Sequence, residues 1–173
     1  EAELRSIYGR QAQKLLNDLL LESVLTPNLA ILSENIYEGA FTKILTGIYK
    51  EIMDECVQIL APPSAVHKKC SNCIDSAQEV ILRHLVEHID HYFYGDGEGL
   101  SHKTLNRNKR FFLQVFQLYS MDTERLINLC EKLKGVSSTH PDSITYGHVM
   151  AVISGRYYTD KVAKKYFKRV HAQ

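Results

Sequence analysis

His67, Cys70 and Cys73 form an HxxCxxC cluster in the polar stretch VHKKCSNC, the residue types and spacing of half a zinc site. A structural zinc ion takes four nitrogen or sulfur ligands, usually from two separated pairs. No second CxxC pair accompanies this one. His84, His88 and His91 could supply the missing ligands, with His84 and His88 four residues apart on one helical face. The plain alternative is a polar loop followed by surface histidines. A thioredoxin-type use of Cys70 and Cys73 would need a βαβ setting, which the pattern lacks.

A second candidate is HYFYGDGEGLSHKT, from His91 to Thr104, where glycines alternate with acids. Counted from Asp96 as an EF-hand loop, it places Leu100 at a ligand position and Arg107 where a bidentate glutamate belongs. Neither GxGxxG nor GxxxxGK[ST] is present, and Asp96 and Glu98 would repel a phosphate. Gly95, Gly97 and Gly99 therefore read as a structural turn between helices, with Gly95 as a left-handed C-cap. GxSxG and HExxH are also missing, and the carboxylates are scattered along amphipathic segments. No enzymatic activity, bound metal or cofactor is expected.

The third candidate is the C-terminal stretch RYYTDKVAKKYFKRVHAQ. Arg156, Lys161, Lys164, Lys165, Lys168 and Arg169 stand against one acid, Asp160, in a chain of net charge +1. Val162, Ala163, Tyr166, Phe167 and Val170 provide an apolar side. Such a helix could lie on an anionic membrane or partner surface. Alternatively it docks on the core with its lysines solvated.

Helices must position all of these residues, because the dominant apolar period is 3.6. The pattern predicts helices over roughly 2–24, 34–60, 73–94 and 102–133, followed by one after Pro141 and a last one entered through Thr159. A bend is expected around Ser120–Asp122 and a stop at Gly135. In the second of these helices, Tyr37, Phe41, Ile44, Ile48, Ile52, Cys56 and Ile59 form the expected buried stripe. The fold class is all-α: an elongated antiparallel bundle of about five or six long helices joined by short loops. Residues 1–173 read as one module, with 156–173 a basic C-terminal helix on or beside it. Apolar content of 45% and charged content of 24% fit a folded domain with a sizeable core. The balanced charge gives no footprint for nucleic acid. Cys56 and Cys130 sit at apolar helical positions and read as core filling. The chain opens without Met inside an amphipathic pattern, so it reads as a piece of a longer protein.

Three stretches, LAILSENIYEGAFTKILTGIYKEIMDECVQILAPP, YFYGDGEGL and RFFLQVFQLYSMDTERLINLC, in this order resemble the C-terminal part of the MUN domain, the second homology region of the Unc-thirteen vesicle-priming proteins. The resemblance covers roughly Leu15 to Leu133, and is more distant to exocyst-type tethering subunits. It implies a non-enzymatic, rod-like helical scaffold acting on SNARE proteins in vesicle tethering, priming and exocytosis. It also implies a cytoplasmic, peripherally membrane-associated location and a neighbouring C2 domain. No binding residue carries over from the family. The competing expectation is a metal-stabilised regulatory helical domain using His67, Cys70 and Cys73.

Overall fold

The computed structural model describes residues 21, 23–62, 74, 76–136 and 142–171. These are all-helical, with no strand among them. Eight α-helices follow in order: α1 (Thr26–Asn35), α2 (Glu38–Leu60), α3 (Ser76–Tyr94), α4 (His102–Asn108), α5 (Arg110–Ser120), α6 (Thr123–Leu133), α7 (Tyr146–Gly155) and α8 (Lys161–Val170). Only α2 and α3 are long, at 23 and 19 residues. The expected set of fewer, longer helices differs because the backbone breaks where the apolar period runs on. Ile36 is extended (φ −129°, ψ 153°), which separates α1 from α2. Lys109 parts α4 from α5. The expected bend at Ser120–Asp122 is a full break, with Met121 extended (φ −77°, ψ 146°).

The chain forms two compact units, with divisions after Ile52, before Ala77 and after Asn108. In the first, Pro27 sits in the opening turn of α1, directly after the π-helical residues 23–25, and Thr26 Oγ1 donates to the Leu21 carbonyl at 2.7 Å. Thr26 Oγ1 lies 3.0 Å from the Tyr92 hydroxyl on α3. Tyr49 on α2 is fully buried; its hydroxyl donates to Asp90 Oδ1 at 2.5 Å, and its ring meets Phe93 edge-on at 5.4 Å. These contacts anchor the Tyr49 side of α2 against α3. Leu45 and Tyr49 are buried in this unit, and Met53, Cys56, Val57 and Leu60 in the part of α2 that belongs to the second, whereas Tyr37, Ile44 and Ile59 of the expected stripe are exposed. The helix carries two adjacent apolar rows, and the row with the anchored tyrosine is the inner one. In α3 the inner row is Leu82, Val86, Ile89 and Phe93.

The turn after α3 is built as its glycines imply. Gly95, Asp96 and Gly97 all have positive φ (53°, 53° and 100°). The chain then folds back so that the Leu100 N–H donates to the Phe93 carbonyl at 2.7 Å and the Gly99 N–H to the Tyr94 carbonyl at 3.0 Å. Phe93 and Leu100 are buried on either side of this reversal, and Tyr94 stacks on His102 with ring centroids 4.1 Å apart. A Cβ on Gly99 would lie 2.2 Å from the Phe93 carbonyl oxygen. Gly95 has open space around it, so only its φ constrains it.

In the second unit, α7 packs against α5, α6 and α8, and α6 against α8. Val149 to Ser154 are all buried, so α7 is enclosed on every side rather than along one stripe. Around it lie Leu118, Leu126, Cys130, Tyr157, Ala163 and Phe167. Tyr119 ties this core to the end of α2 by donating its hydroxyl to the Leu60 carbonyl at 2.5 Å. Gly135 (φ 78°) follows the end of α6, as expected of a C-terminal stop. Caps set the remaining helix starts. Asp122 accepts from the Arg125 N–H at 2.8 Å, and Thr145 and His148 form a capping box on α7. Asp160, not the expected Thr159, caps α8.

Gly99→Ala is expected to destabilise the protein by about 2–3 kcal/mol, because its methyl group must displace a backbone carbonyl. Gly95→Asn should cost less than about 1 kcal/mol, since asparagine tolerates the left-handed region. Urea unfolding of both variants measures the difference.

Candidate functional site

Among the described residues, chemistry-bearing side chains of the second unit form a defined arrangement. It centres on the turn between α7 and α8. Arg156 follows the last turn of α7 and points into the protein. Its Nη1 donates to the Met121 carbonyl at 2.8 Å and to Thr123 Oγ1 at 3.1 Å. Its Nη2 donates to the Tyr119 carbonyl at 2.7 Å. These carbonyls are left over by the break between α5 and α6, and the planar guanidinium reaches both. Thr123 Oγ1 in turn donates to Asp160 Oδ2 at 2.5 Å. The other carboxylate oxygen, Oδ1, accepts the Val162 N–H at 2.7 Å and the Ala163 N–H at 3.4 Å.

The Thr123 hydrogen bond, the two backbone N–H groups and the Arg156 charge hold the Asp160 carboxyl below its usual pKa, against an opposing effect of burial. Arg156 does not belong to the basic surface patch in which its sequence position places it. Its guanidinium is committed to the joint between two helix pairs. The signal in the sequence is its position one residue after a helix-ending glycine and four before an N-cap aspartate.

The other five cations lie on α8 and are exposed: Lys161, Lys164, Lys165, Lys168 and Arg169. At 100° per residue they fall within an arc of about 140°. Ala163, Tyr166 and Phe167 occupy the opposite side and are buried. α8 is thus core-docked, and its apolar face is not available to enter a bilayer. Arg169 pairs with Glu131 at 3.1 Å and lies over the Tyr166 ring at 5.1 Å. Lys164 Nζ stands 5.7 Å from the Tyr157 ring centroid. Lys161, Lys165 and Lys168 have no ion-pair partner among the described residues. The spacings 161/165, 164/168 and 165/169 bring like charges together on adjacent turns, which weakens an isolated helix. Lys161 also sits at the positive end of the helix dipole. Docking of Tyr166 and Phe167 offsets these costs.

His67, Cys70 and Cys73 lie outside the described residues. His84 is exposed, and its Nδ1 is 3.2 Å from Glu87 Oε2. Among the described residues no three His, Cys, Asp or Glu side chains converge as metal ligands. Cys56 and Cys130 are buried free thiols. Burial, then the charge of Glu55, pushes Cys56 up to about 11, and burial likewise raises Cys130, so both are poor nucleophiles at neutral pH. The Tyr166 hydroxyl is also buried; it lies near the Cys130 thiol but makes no hydrogen bond in good geometry.

His148 is half-buried, with its ring edge-on to Phe111 at 5.4 Å. Its Nδ1 accepts the Thr145 N–H at 3.0 Å, closing the capping box of α7. That role needs an unprotonated Nδ1, and burial lowers the imidazole pKa below the usual 6.5.

No family model matches the chain, and no solved structure matches it. Over 107 residues, 61% of this chain, it is 23% identical to the uncharacterized protein C11E3.02c of Schizosaccharomyces pombe. That alignment spans 9% of the fission-yeast protein's length, so the chain resembles a small part of a much larger polypeptide. No helix among the described residues is long and apolar enough to cross a membrane.

Two measurements probe the joint and the cap. Arg156→Ala removes the donor to the Met121 and Tyr119 carbonyls and to Thr123 Oγ1 and is expected to cost about 2–4 kcal/mol in urea unfolding. Arg156→Lys should recover less than half, because one ammonium cannot reproduce the fork. The His148 contribution is present above pH 6.5, the unfolded value. It is lost as pH falls through the lower folded value, where the unfolded chain binds the extra proton. His148→Gln keeps an N3 acceptor and should abolish this mildly acidic arm of the stability profile. The Asp160 contribution, lost only as pH falls from 3.8 through its depressed folded value, should remain.

Proposed function

We propose that this chain is a non-enzymatic helical scaffold and tethering module of a vesicle-priming protein, acting in SNARE-dependent membrane trafficking and exocytosis. The observation that carries the reading is the ordered set of three stretches resembling the C-terminal MUN region. They fall on connected elements: the first on α1 and α2, the second on the turn closing α3, and the third on α5 and α6. In this reading the helices belong to an elongated bundle. It works at the cytoplasmic side of a membrane, with SNARE proteins as partners and a C2 domain nearby in the longer polypeptide. The chemistry is compatible with such a role. The buried thiols are poor nucleophiles, the half-buried Arg156 is committed to the fold, and the exposed helix faces are available for extended partner contacts.

The test is flotation of the purified chain with neutral phosphatidylcholine vesicles carrying reconstituted membrane-anchored SNAREs. Recovery with these vesicles above the level of SNARE-free vesicles is expected. Equal recovery on both, with the chain folded by circular dichroism and with the longer polypeptide behaving the same way, overturns the proposal.

A further inference from the structure

We propose that the solvent face of α8 is a peripheral docking surface for an anionic membrane, engaged while the helix stays seated in its core. Three observations lead there. The face is uniformly cationic: Lys161, Lys164, Lys165, Lys168 and Arg169 line it, and the helix contains no acid. Its like charges repel at every adjacent turn, and only Arg169 has a carboxylate partner, Glu131, among the described residues. A face that merely needed to be solvated could interleave both signs at no such cost. The apolar side is spent on the fold, with Ala163, Tyr166 and Phe167 buried. Contact must therefore be electrostatic, at headgroup level, without the insertion that a free amphipathic helix makes.

The chemistry of the face selects a headgroup layer over nucleic acid. Its unpaired cations are lysines, compact and strongly hydrated charges suited to a diffuse anionic plane. The one arginine that could fork onto a phosphate is occupied by Glu131 and Tyr166. The whole chain has a pI of about 7.9, lacking the basic footprint of a nucleic-acid module. At the start of this face, Tyr158 is 76% exposed and Val162 44% exposed. An amphipathic ring and a short aliphatic chain there can rest among headgroups beside the lysines.

The inference does not depend on the SNARE proposal. It requires no protein partner, and the SNARE experiment uses neutral lipid, so either can fail alone.

The test is co-sedimentation of the full chain with vesicles of phosphatidylcholine, alone or with about 30% phosphatidylserine, at low salt and at about 0.5 M salt. Binding is expected only with phosphatidylserine and should be lost at high salt. Each of Lys161→Gln, Lys165→Gln and Lys168→Gln should weaken it about fivefold, the equivalent of ~1 kcal/mol per lysine. Circular dichroism should be unchanged, since these side chains are exposed. Control variants Lys43→Gln, Lys103→Gln and Arg107→Gln each remove one charge from an exposed position of the other unit and should bind as the parent does. Equal binding to neutral vesicles, or equal loss in the controls, overturns the proposal. So does displacement of the chain from vesicles by inorganic phosphate at matched phosphate concentration, which would make the site one for free phosphate. Tighter binding to a short DNA duplex than to the vesicles also overturns it, in favour of a nucleic-acid surface.

Discussion

The second unit depends on the hydrogen bonds that Arg156 makes across the break between α5 and α6. A helix broken at Met121 leaves carbonyls that cannot be answered within either half. Taking them up requires a donor from elsewhere in the chain with two well-separated N–H groups, and Arg156 reaches back more than thirty residues to supply them. Thr123 relays the contact to Asp160, whose other oxygen starts α8. The end of one helix pair and the beginning of the next are therefore fixed by one polar cluster. The positions of Tyr166 and Phe167 in the core follow from it.

Helix content and several boundaries can be read from the sequence because their causes are local. Gly135, the glycines around Asp96 and the break near Asp122 each act through their own backbone or through a neighbour within three residues. The choice of buried row in α2 is not readable in the same way. Ile44, Ile48 and Ile52 are as apolar as Leu45, Tyr49 and Met53, and only a distant partner, Asp90, decides for Tyr49. The number of helices departs from the periodic pattern for a related reason. An apolar period does not register single extended residues such as Ile36, which change the backbone without changing the pattern.

The cationic stretch shows the same division. Its location on a terminal helix and its opposite apolar side follow from spacing alone. Composition cannot separate Arg156 from the lysines, because a charge count is blind to where a side chain points. What sets Arg156 apart is its helix-terminal position within reach of the Tyr119 and Met121 carbonyls. What sets Arg169 apart is Glu131, on another helix. The solvent face of α8 is left mostly to lysines, whose charge acts over distance and needs no fixed partner geometry. The arginines serve where geometry matters.

The complete enclosure of α7 also bears on how the chain behaves when it is not folded. Val149-Met150-Ala151-Val152-Ile153 is uncharged, free of proline and rich in β-branched residues, so its strand tendency is suppressed only by tertiary packing. During synthesis the neighbour that covers it on one side, α8, emerges after it. Arg156 closes the run as a charged gatekeeper in that interval. One side chain thus guards against aggregation before folding is complete and joins the helices once it is.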